Sequence, residues 1–420
     1  VIALSSLLLL LLAVLGAPLF AVIAASALLG FGRSGVDPMV AVMEVYRIAE
    51  TPVLLAIPLF TFAGYLLGAS GAPRRLVRVT DAVFGWLPGG LAVVALVTCA
   101  LFTAFTGASG VTIVAVGALL YPALKQAGYR DNFNLGLITT SGSLGLLFPP
   151  SLPLILYGIV AQTSVDSLFV AGILPGALMV VLLSAFSLRE GLKLPGRDLK
   201  PVSAREVLAA LREAAWEIPL PVIVLGGVYT GFFAVSEAAV VTVVYVLVVE
   251  VGIYREVSIR RLPQIMRESM VMVGGILVIL GASLASTNYL IDAQVPDALL
   301  AFVTDHVSSK LTFLLLLNGF LLVLGCMLDI FSALVIVVPL ILPIATSFGV
   351  DPIHLGIIFL ANMQIGYCTP PVGMNLFIAS YRFDKPVVTL YRATLPFLLV
   401  LLATVLLITY WPWLSLALVR

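Results

Sequence analysis

The chain has 420 residues, 61 % of them hydrophobic and only 10 % charged, with a formal net charge of +1. A soluble chain carries about a quarter charged residues, so this composition excludes an ordinary soluble globular protein, and so small a net charge gives no footing for a nucleic-acid partner. Long apolar runs begin at the first residue, and about 20 apolar residues cross the hydrocarbon as one helix. The expected fold class is therefore an all-α polytopic membrane protein.

In chain order, Val1 to about Gly30 is apolar, with no basic start and no small-residue cleavage site. It reads as a retained span over roughly 1–31 rather than a cleaved signal peptide. Residues 33–50 mix charge with apolar positions at helical spacing and read as a helix lying in the interface. A second span is expected over 52–70. Residues 86–106 and 110–124 make two apolar legs joined at Thr106-Gly107-Ala108-Ser109-Gly110. The stretch 132–163 is interrupted by Pro149-Pro150, and a span over 167–188 follows. Lys193 to Lys200, with Pro195, Gly196 and Pro201, reads as a linker, and 202–216 as a second interfacial helix. Spans over 217–232, 236–252 and 268–290 come next, then legs at 311–328 and 331–347. The last two are 353–381, interrupted by Pro370-Pro371, and 394–416. The organisation is a first half over 1–188, a cytoplasmic linker over 189–216 and a second half over 217–420.

Lys and Arg set the orientation, because cytoplasmic loops are enriched in them. Most of the 22 fall in five clusters: Arg74/Arg75/Arg78, Lys125/Arg130, the 189–212 linker, Arg255/Arg260/Arg261/Arg267 and Arg382/Lys385/Arg392. Placing all five inside forces residues 86–124 to enter and return, as a re-entrant hairpin tipped at Thr106–Gly110 would. Residues 311–347 must enter and return from outside. The N-terminus is then cytoplasmic and the C-terminus periplasmic. A pair of full spans satisfies the same charges; the composition of the tip favours the hairpin.

The two interrupted regions match. Leu135-Gly136 precedes Gly145-Leu146-Leu147-Phe148-Pro149-Pro150, and Leu355-Gly356 precedes Gly366-Tyr367-Cys368-Thr369-Pro370-Pro371, at offsets of 220 and 221 residues. Each follows an apolar hairpin and precedes one more span, and the charge assignment runs them in opposite directions. This is an inverted repeat. Proline ends a helix by removing a donor and crowding the preceding turn, and bare backbone survives at membrane depth only inside protein or beside a watery cavity. Matched breaks in two halves are the sequence sign of a transporter binding site, where freed carbonyls ligate cations and half-helix N-termini face anions. The alternative reading of each break alone is a structural kink.

Polar residues near these breaks are the site candidates. Asp329, at the second tip, is costly at membrane depth and reads as a ligand, as a helix cap, or as both. Ser141, Ser143, Asn362, Gln364 and Asn375 either face substrate or bond between helices. Glu237 reads as an interfacial cap. His306 and His354 fall in or near loops and read as solvated, and Cys99, Cys326 and Cys368 as small core residues. No Ser/His/Asp set, metal-spaced His cluster or paired intramembrane carboxylates speak for an enzyme.

Phe105-Thr106-Gly107-Ala108-Ser109-Gly110, Leu147-Phe148-Pro149-Pro150-Ser151-Leu152-Pro153 with Tyr157-Gly158, Ser236-Glu237-Ala238-Ala239, Asp329 in its hairpin and Gly366-x-x-Thr369-Pro370-Pro371-Val372-Gly373 together resemble the large membrane subunit of tripartite ATP-independent periplasmic (TRAP) transporters, the DctM-like family. The similarity runs over essentially the whole chain. The family's Ser-Gly-Ser first tip is replaced here by Thr106-Gly107-Ala108-Ser109. The resemblance implies an elevator-type inverted-repeat carrier of the ion-transporter superfamily in the cell inner membrane, with sodium ions as coupling ions and no other cofactor. It implies a small four-helix membrane subunit (DctQ-like), a periplasmic substrate-binding protein (DctP-like) and an organic acid substrate. On this reading a first sodium site uses Thr106, Gly107, Ser109, Ser143, Gly145 and Pro149, and a second uses Gly325, Asp329, Gly366 and Thr369. Substrate would meet Ser141, Ser143, Asn362 and Asn375. The alternatives are a stand-alone sodium/anion symporter of the same superfamily and, more distantly, an ATPase-driven permease.

Overall fold

The computed structural model describes residues 8, 9, 11, 12, 15, 17–87, 89–193 and 203–419. Of the first expected span, most of 1–18 lies outside the described residues, as does linker segment 194–202. Among the described residues, seven helices are long and apolar enough to cross a membrane, or eight with one bent pair counted as a span.

The chain begins with α1 (Leu19–Ser34) and α2 (Met39–Ala49). A short 3-10 turn then leads into α3 (Ala56–Ala69) and α4 (Ala72–Phe84). The first hairpin is α5 (Gly90–Thr106) and α6 (Ser109–Gln126). Its reversal needs a left-handed residue, which Gly107 supplies at φ 64° while its N–H bonds back to the Thr103 carbonyl. Helix α7 (Asp131–Ser141) runs into a 3-10 turn at Leu144–Leu147 and the cis Pro149-Pro150 bond, and α8 (Leu152–Val160) leaves at a bend of 46°. Then come α9 (Val165–Gly191), amphipathic α10 (Ala204–Glu213), α11 (Pro219–Tyr229) and α12 (Val235–Leu247). At the start of α12, Glu237 accepts from the Ala234 N–H, the capping role expected of it.

The second half adds α13 (Leu262–Asp292), α14 (Val295–His306) and the hairpin α15 (Lys310–Met327) with α16 (Ile330–Ser347). Helix α17 (Pro352–Gly366) stops before the cis Pro370-Pro371 bond, α18 (Met374–Phe383) resumes, and α19 (Val387–Tyr410) and α20 (Trp413–Leu416) follow. Helix α14 was not anticipated from sequence: its apolar positions are interspersed with Asp297 and Asp305, which masked it as a polar flank.

The halves interlock reciprocally. Helix α7 packs on α19, and its counterpart α17 packs on α9; α8 packs on α16, and its counterpart α18 packs on α6. A pseudo-two-fold arrangement gives this crossed pattern. Its axis can be located. Gln364 Nε2 donates to the Ser143 carbonyl, and Ser143 Oγ lies 3.5 Å from the Gln364 carbonyl. These two residues are 221 positions apart, the same offset as the repeat. Equivalent residues of two repeats touch each other only on the axis that relates them.

Around this inner body, α3 packs on α12 and α13, and α13 also carries α1 and α2. Helix α4 joins this outer layer to the first hairpin. Thr80 Oγ1 meets Thr98 Oγ1 on α5 at 2.6 Å, and α4 packs on α10. Arg75 departs from the basic loop cluster expected for 74–78. Its side chain is buried, donates from Nη1 to Glu256 at 2.8 Å and from Nη2 to Glu250 at 3.2 Å, and bonds Glu217 through Nε. Its guanidinium sits 3.9 Å over the Tyr254 ring. Partners more than 140 positions away leave no local trace in the sequence.

His354 also departs from expectation. It is buried, with Nδ1 3.1 Å from Ser415 Oγ and Nε2 3.2 Å from the Thr409 carbonyl. The reason is that α17 is enclosed along nearly its whole length, so a residue in its first turn is covered by α19 and α20 rather than by solvent. His306 is exposed, as expected, and the three cysteines are buried and free.

Candidate functional site

Both hairpins end at the breaks. A Cβ on Gly145 would fall 2.3 Å from the Ala100 carbonyl oxygen of α5, and one on Gly366 would fall 2.4 Å from the Gly325 carbonyl carbon of α15. Only glycine permits either approach. Thr103 Oγ1 donates to the Gly142 carbonyl at 2.8 Å and pairs with Thr112 Oγ1 at 2.7 Å, tying the first hairpin to the end of α7. On the second side the Ile330 N–H donates to Tyr367 Oη at 2.8 Å, and the Gly373 N–H to the Cys326 carbonyl at 3.1 Å. The breaks also meet one another: Asn375 Nδ2 donates to the Thr139 carbonyl at 3.3 Å, and Cys368 Sγ approaches it at 3.5 Å.

Between the tips lies a partly open cavity of about 640 Å³. The first tip contributes Gly107, Ala108 and Ser109, the second Ile330 and Phe331, and the breaks Leu146 and Tyr367. The outer layer closes it with Tyr65, Gly68 and Ala69 of α3 and with Glu268 and Met272 of α13, beside Arg261. A space of this size suits a small organic molecule.

Of the residues singled out in sequence, Gly107 and Ser109 line this cavity. Thr106, Ser143, Gly145 and Pro149 sit behind it, in the packed junction of hairpin and break. Gly325 and Gly366 pack face to face, and Thr369 Oγ1 donates to the Ile365 carbonyl at 2.8 Å. Asp329 caps α16: one carboxylate oxygen accepts from the Phe331 and Ser332 N–H groups at 3.0 Å each, and the other accepts from Ser332 Oγ. Ser141 Oγ returns to the Ile138 carbonyl at 3.2 Å. Asn362 is placed away from the cavity, bonding Asn318 Oδ1 on α15 at 2.7 Å within a set that includes Thr409. It is thus an interhelical bond in this structure, and Asn375 lies behind the second break.

Several buried acceptors in this region have no protein donor: Ser109 Oγ, Gln364 Oε1 and Asn375 Oδ1. Among the described residues no group of three or more His, Cys, Asp or Glu is placed to hold a metal ion. The oxygens gathered at the two junctions are carbonyl, amide and hydroxyl oxygens together with the Asp329 carboxylate. Tyr65, Arg261, Glu268 and Tyr367 were missed by the sequence reading. Glu268 had a signal, a carboxylate at the edge of the expected 268–290 span; Tyr65 and Tyr367 had none.

The family model described as "Tripartite ATP-independent periplasmic transporter, DctM component" matches residues 5–414. The chain is 37 % identical to the C4-dicarboxylate TRAP transporter large permease protein DctM of Pseudomonas aeruginosa, over 90 % of this chain and 88 % of that one. It is 34 % identical to the isethionate TRAP transporter permease protein DctMQ of Oleidesulfovibrio alaskensis, over 94 % of this chain and 64 % of that longer one. The crystal structure of the Alcanivorax borkumensis YdaH transporter shares the fold at TM-score 0.62 and 16 % identity, covering 89 % of this chain and 87 % of that one. With glycine-packed hairpins at two matched breaks and a family match over almost its full length, this chain belongs to the DctM family of TRAP transporter large permeases.

Proposed function

We propose that the chain is the membrane carrier of a sodium-driven, binding-protein-dependent importer of a small organic acid. The observation that carries the reading is the meeting of both breaks on the pseudo-two-fold axis at Ser143 and Gln364, with both hairpin tips facing one cavity. Sodium binds at two places, one per half. The first is the junction of Thr106, Gly107, Ser109, Ser143 and Gly145; the second is that of Gly325, Asp329, Gly366 and Thr369. Carbonyl and hydroxyl oxygens supply the ligands. Occupied sites order the tips and complete the anion site between them, so substrate affinity without cation is low. The inner body moves as an elevator against α3, α12 and α13, while a four-helix membrane subunit widens that outer layer and a periplasmic protein delivers substrate. Relatives named for C4-dicarboxylates and isethionate support a small organic anion as cargo. The N-terminus is cytoplasmic and the C-terminus periplasmic.

The test is uptake into proteoliposomes holding the chain with its membrane partner, with the delivery protein added outside. Accumulation should require an inward sodium gradient. Equal uptake in sodium-free medium would refute the coupling, and equal uptake by the chain alone would refute dependence on partners and favour a stand-alone symporter.

A further inference from the structure

The cavity is chemically uneven. Its inner wall, from the hairpin tips and breaks, presents backbone, hydroxyls and apolar side chains. The one basic and the one acidic side chain among its lining residues, Arg261 and Glu268, both come from the outer layer. Arg261 ends the 3-10 turn (Ile259–Arg261) that leads into α13, and Glu268 stands in the second turn of that helix. Arg261 lies just before the N-terminal end of the helix and Glu268 about two turns further along it, and both are exposed. Glu268 accepts from Gln264 Nε2 at 2.9 Å. None of the ion pairs formed among the described residues uses Arg261.

The mouth also has a definite side. Helix α3 contributes Ala69, its last residue, just before the Arg74–Arg78 cluster, and α13 contributes Arg261, which follows Arg255 and Arg260. Arg382 Nε donates to the carbonyl of Val114, itself a lining residue, at 3.3 Å. Three Arg-bearing segments thus border one opening, with Arg74, Arg75 and Arg78 paired to glutamates, and loops enriched in Arg and Lys face the cytoplasm.

We propose that Arg261 is the release-side anchor for the acid group of the substrate. It is a fixed cation of the outer layer that engages the oxyanion while the cavity opens to the basic face, and Glu268 repels that anion from the deeper level. The inference rests on the proposed carrier function and deepens it. A guanidinium pairs two oxygens of a carboxylate or sulfonate at once. Because Arg261 belongs to the outer layer, it leaves the substrate when the inner body carries the site to the opposite face. Its contribution therefore enters the affinity on one side only.

The experiment uses the chain with its partners in proteoliposomes. The probe is whichever of labelled succinate and isethionate the wild type accumulates. Added delivery protein selects carriers with their periplasmic face outward. Half-saturating concentrations are measured for uptake and for efflux from preloaded vesicles. Arg261→Gln should raise the internal-to-external ratio about tenfold, the worth of one charge-assisted hydrogen bond. Arg261→Lys should recover part of it, and Glu268→Gln should lower the ratio. A ratio unchanged in Arg261→Gln, or both concentrations rising together, overturns the assignment while leaving the carrier function standing. Wild-type vesicles that accumulate neither probe overturn the proposed cargo class and the assignment with it.

Discussion

Replacing Arg75 by Met tests what holds α4 to the outer layer. The guanidinium faces Glu217, Glu250 and Glu256, with Glu250 at 3.2 Å and Glu256 at 2.8 Å. At an effective dielectric of about 20, a unit pair at that separation attracts by about 5 kcal/mol, most of it offset by the desolvation of both charges. Methionine preserves much of the stem's packing but leaves Glu217 and Glu250, whose side chains are only 6 % and 0 % exposed, buried without a cation. Removing one partner of a buried pair costs about 3–5 kcal/mol. Glu250→Gln instead relieves an excess of carboxylates over guanidinium and should change stability by about 1 kcal/mol or less, as replacements that remove buried charge often do. The assay is unfolding of the purified protein in detergent followed by tryptophan fluorescence, paired with limited proteolysis between residues 70 and 89. Arg75→Met should unfold earlier and be cut faster there, and added salt should narrow the difference little, because buried pairs are weakly screened. A loss below about 1 kcal/mol in Arg75→Met, or an equal loss in Glu250→Gln, refutes the reasoning.

Gly366→Ala places a methyl 2.4 Å from the Gly325 backbone; overpacking of this kind costs about 1–3 kcal/mol and should abolish transport, whereas Gly319→Ala on α15, the hairpin leg that carries Gly325, has nothing within 4 Å and should be neutral or slightly stabilising. Asp329→Ala removes a helix cap and should cost about 0.5–2 kcal/mol in unfolding experiments. Asp329→Asn keeps an acceptor, so a raised sodium requirement with little loss of stability would mark the carboxylate as a cation ligand, and an unchanged requirement would leave it as a cap alone. Burial works to raise the Glu256 carboxyl, but its bonds to Arg75 and to the Gly71 N–H prevail and hold it below the ordinary 4.5. Its stabilising contribution is thus present above that value and is lost as pH falls through the depressed one. Wild type should lose more stability than Glu256→Gln on acidification below 4.5, and parallel losses would contradict this.

Much of this architecture could be read from residues because the lipid environment narrows what a chain can do. Apolar length, basic loops and the paired Gly-x-x-x-Pro-Pro breaks located the hairpins and interrupted helices, since unpaired backbone at membrane depth is too costly to occur without a reason. Glycines at 107, 145 and 366 were legible for the same reason: each marks a left-handed turn or a backbone approach that a side chain would block. Contacts across the fold were decided only in three dimensions. Arg75 looked like one more loop cation until the chain brought three distant glutamates to it, and His354 looked solvated until α19 and α20 covered it. Asn362 could face a ligand or another helix on sequence alone; in the fold its Nδ2 reaches Asn318 on α15. The cavity wall from α3 and α13 was invisible because a residue's neighbours across an interface depend on how whole helices dock. Docking is fixed by the sum of many weak packing contacts, and no local pattern encodes that sum.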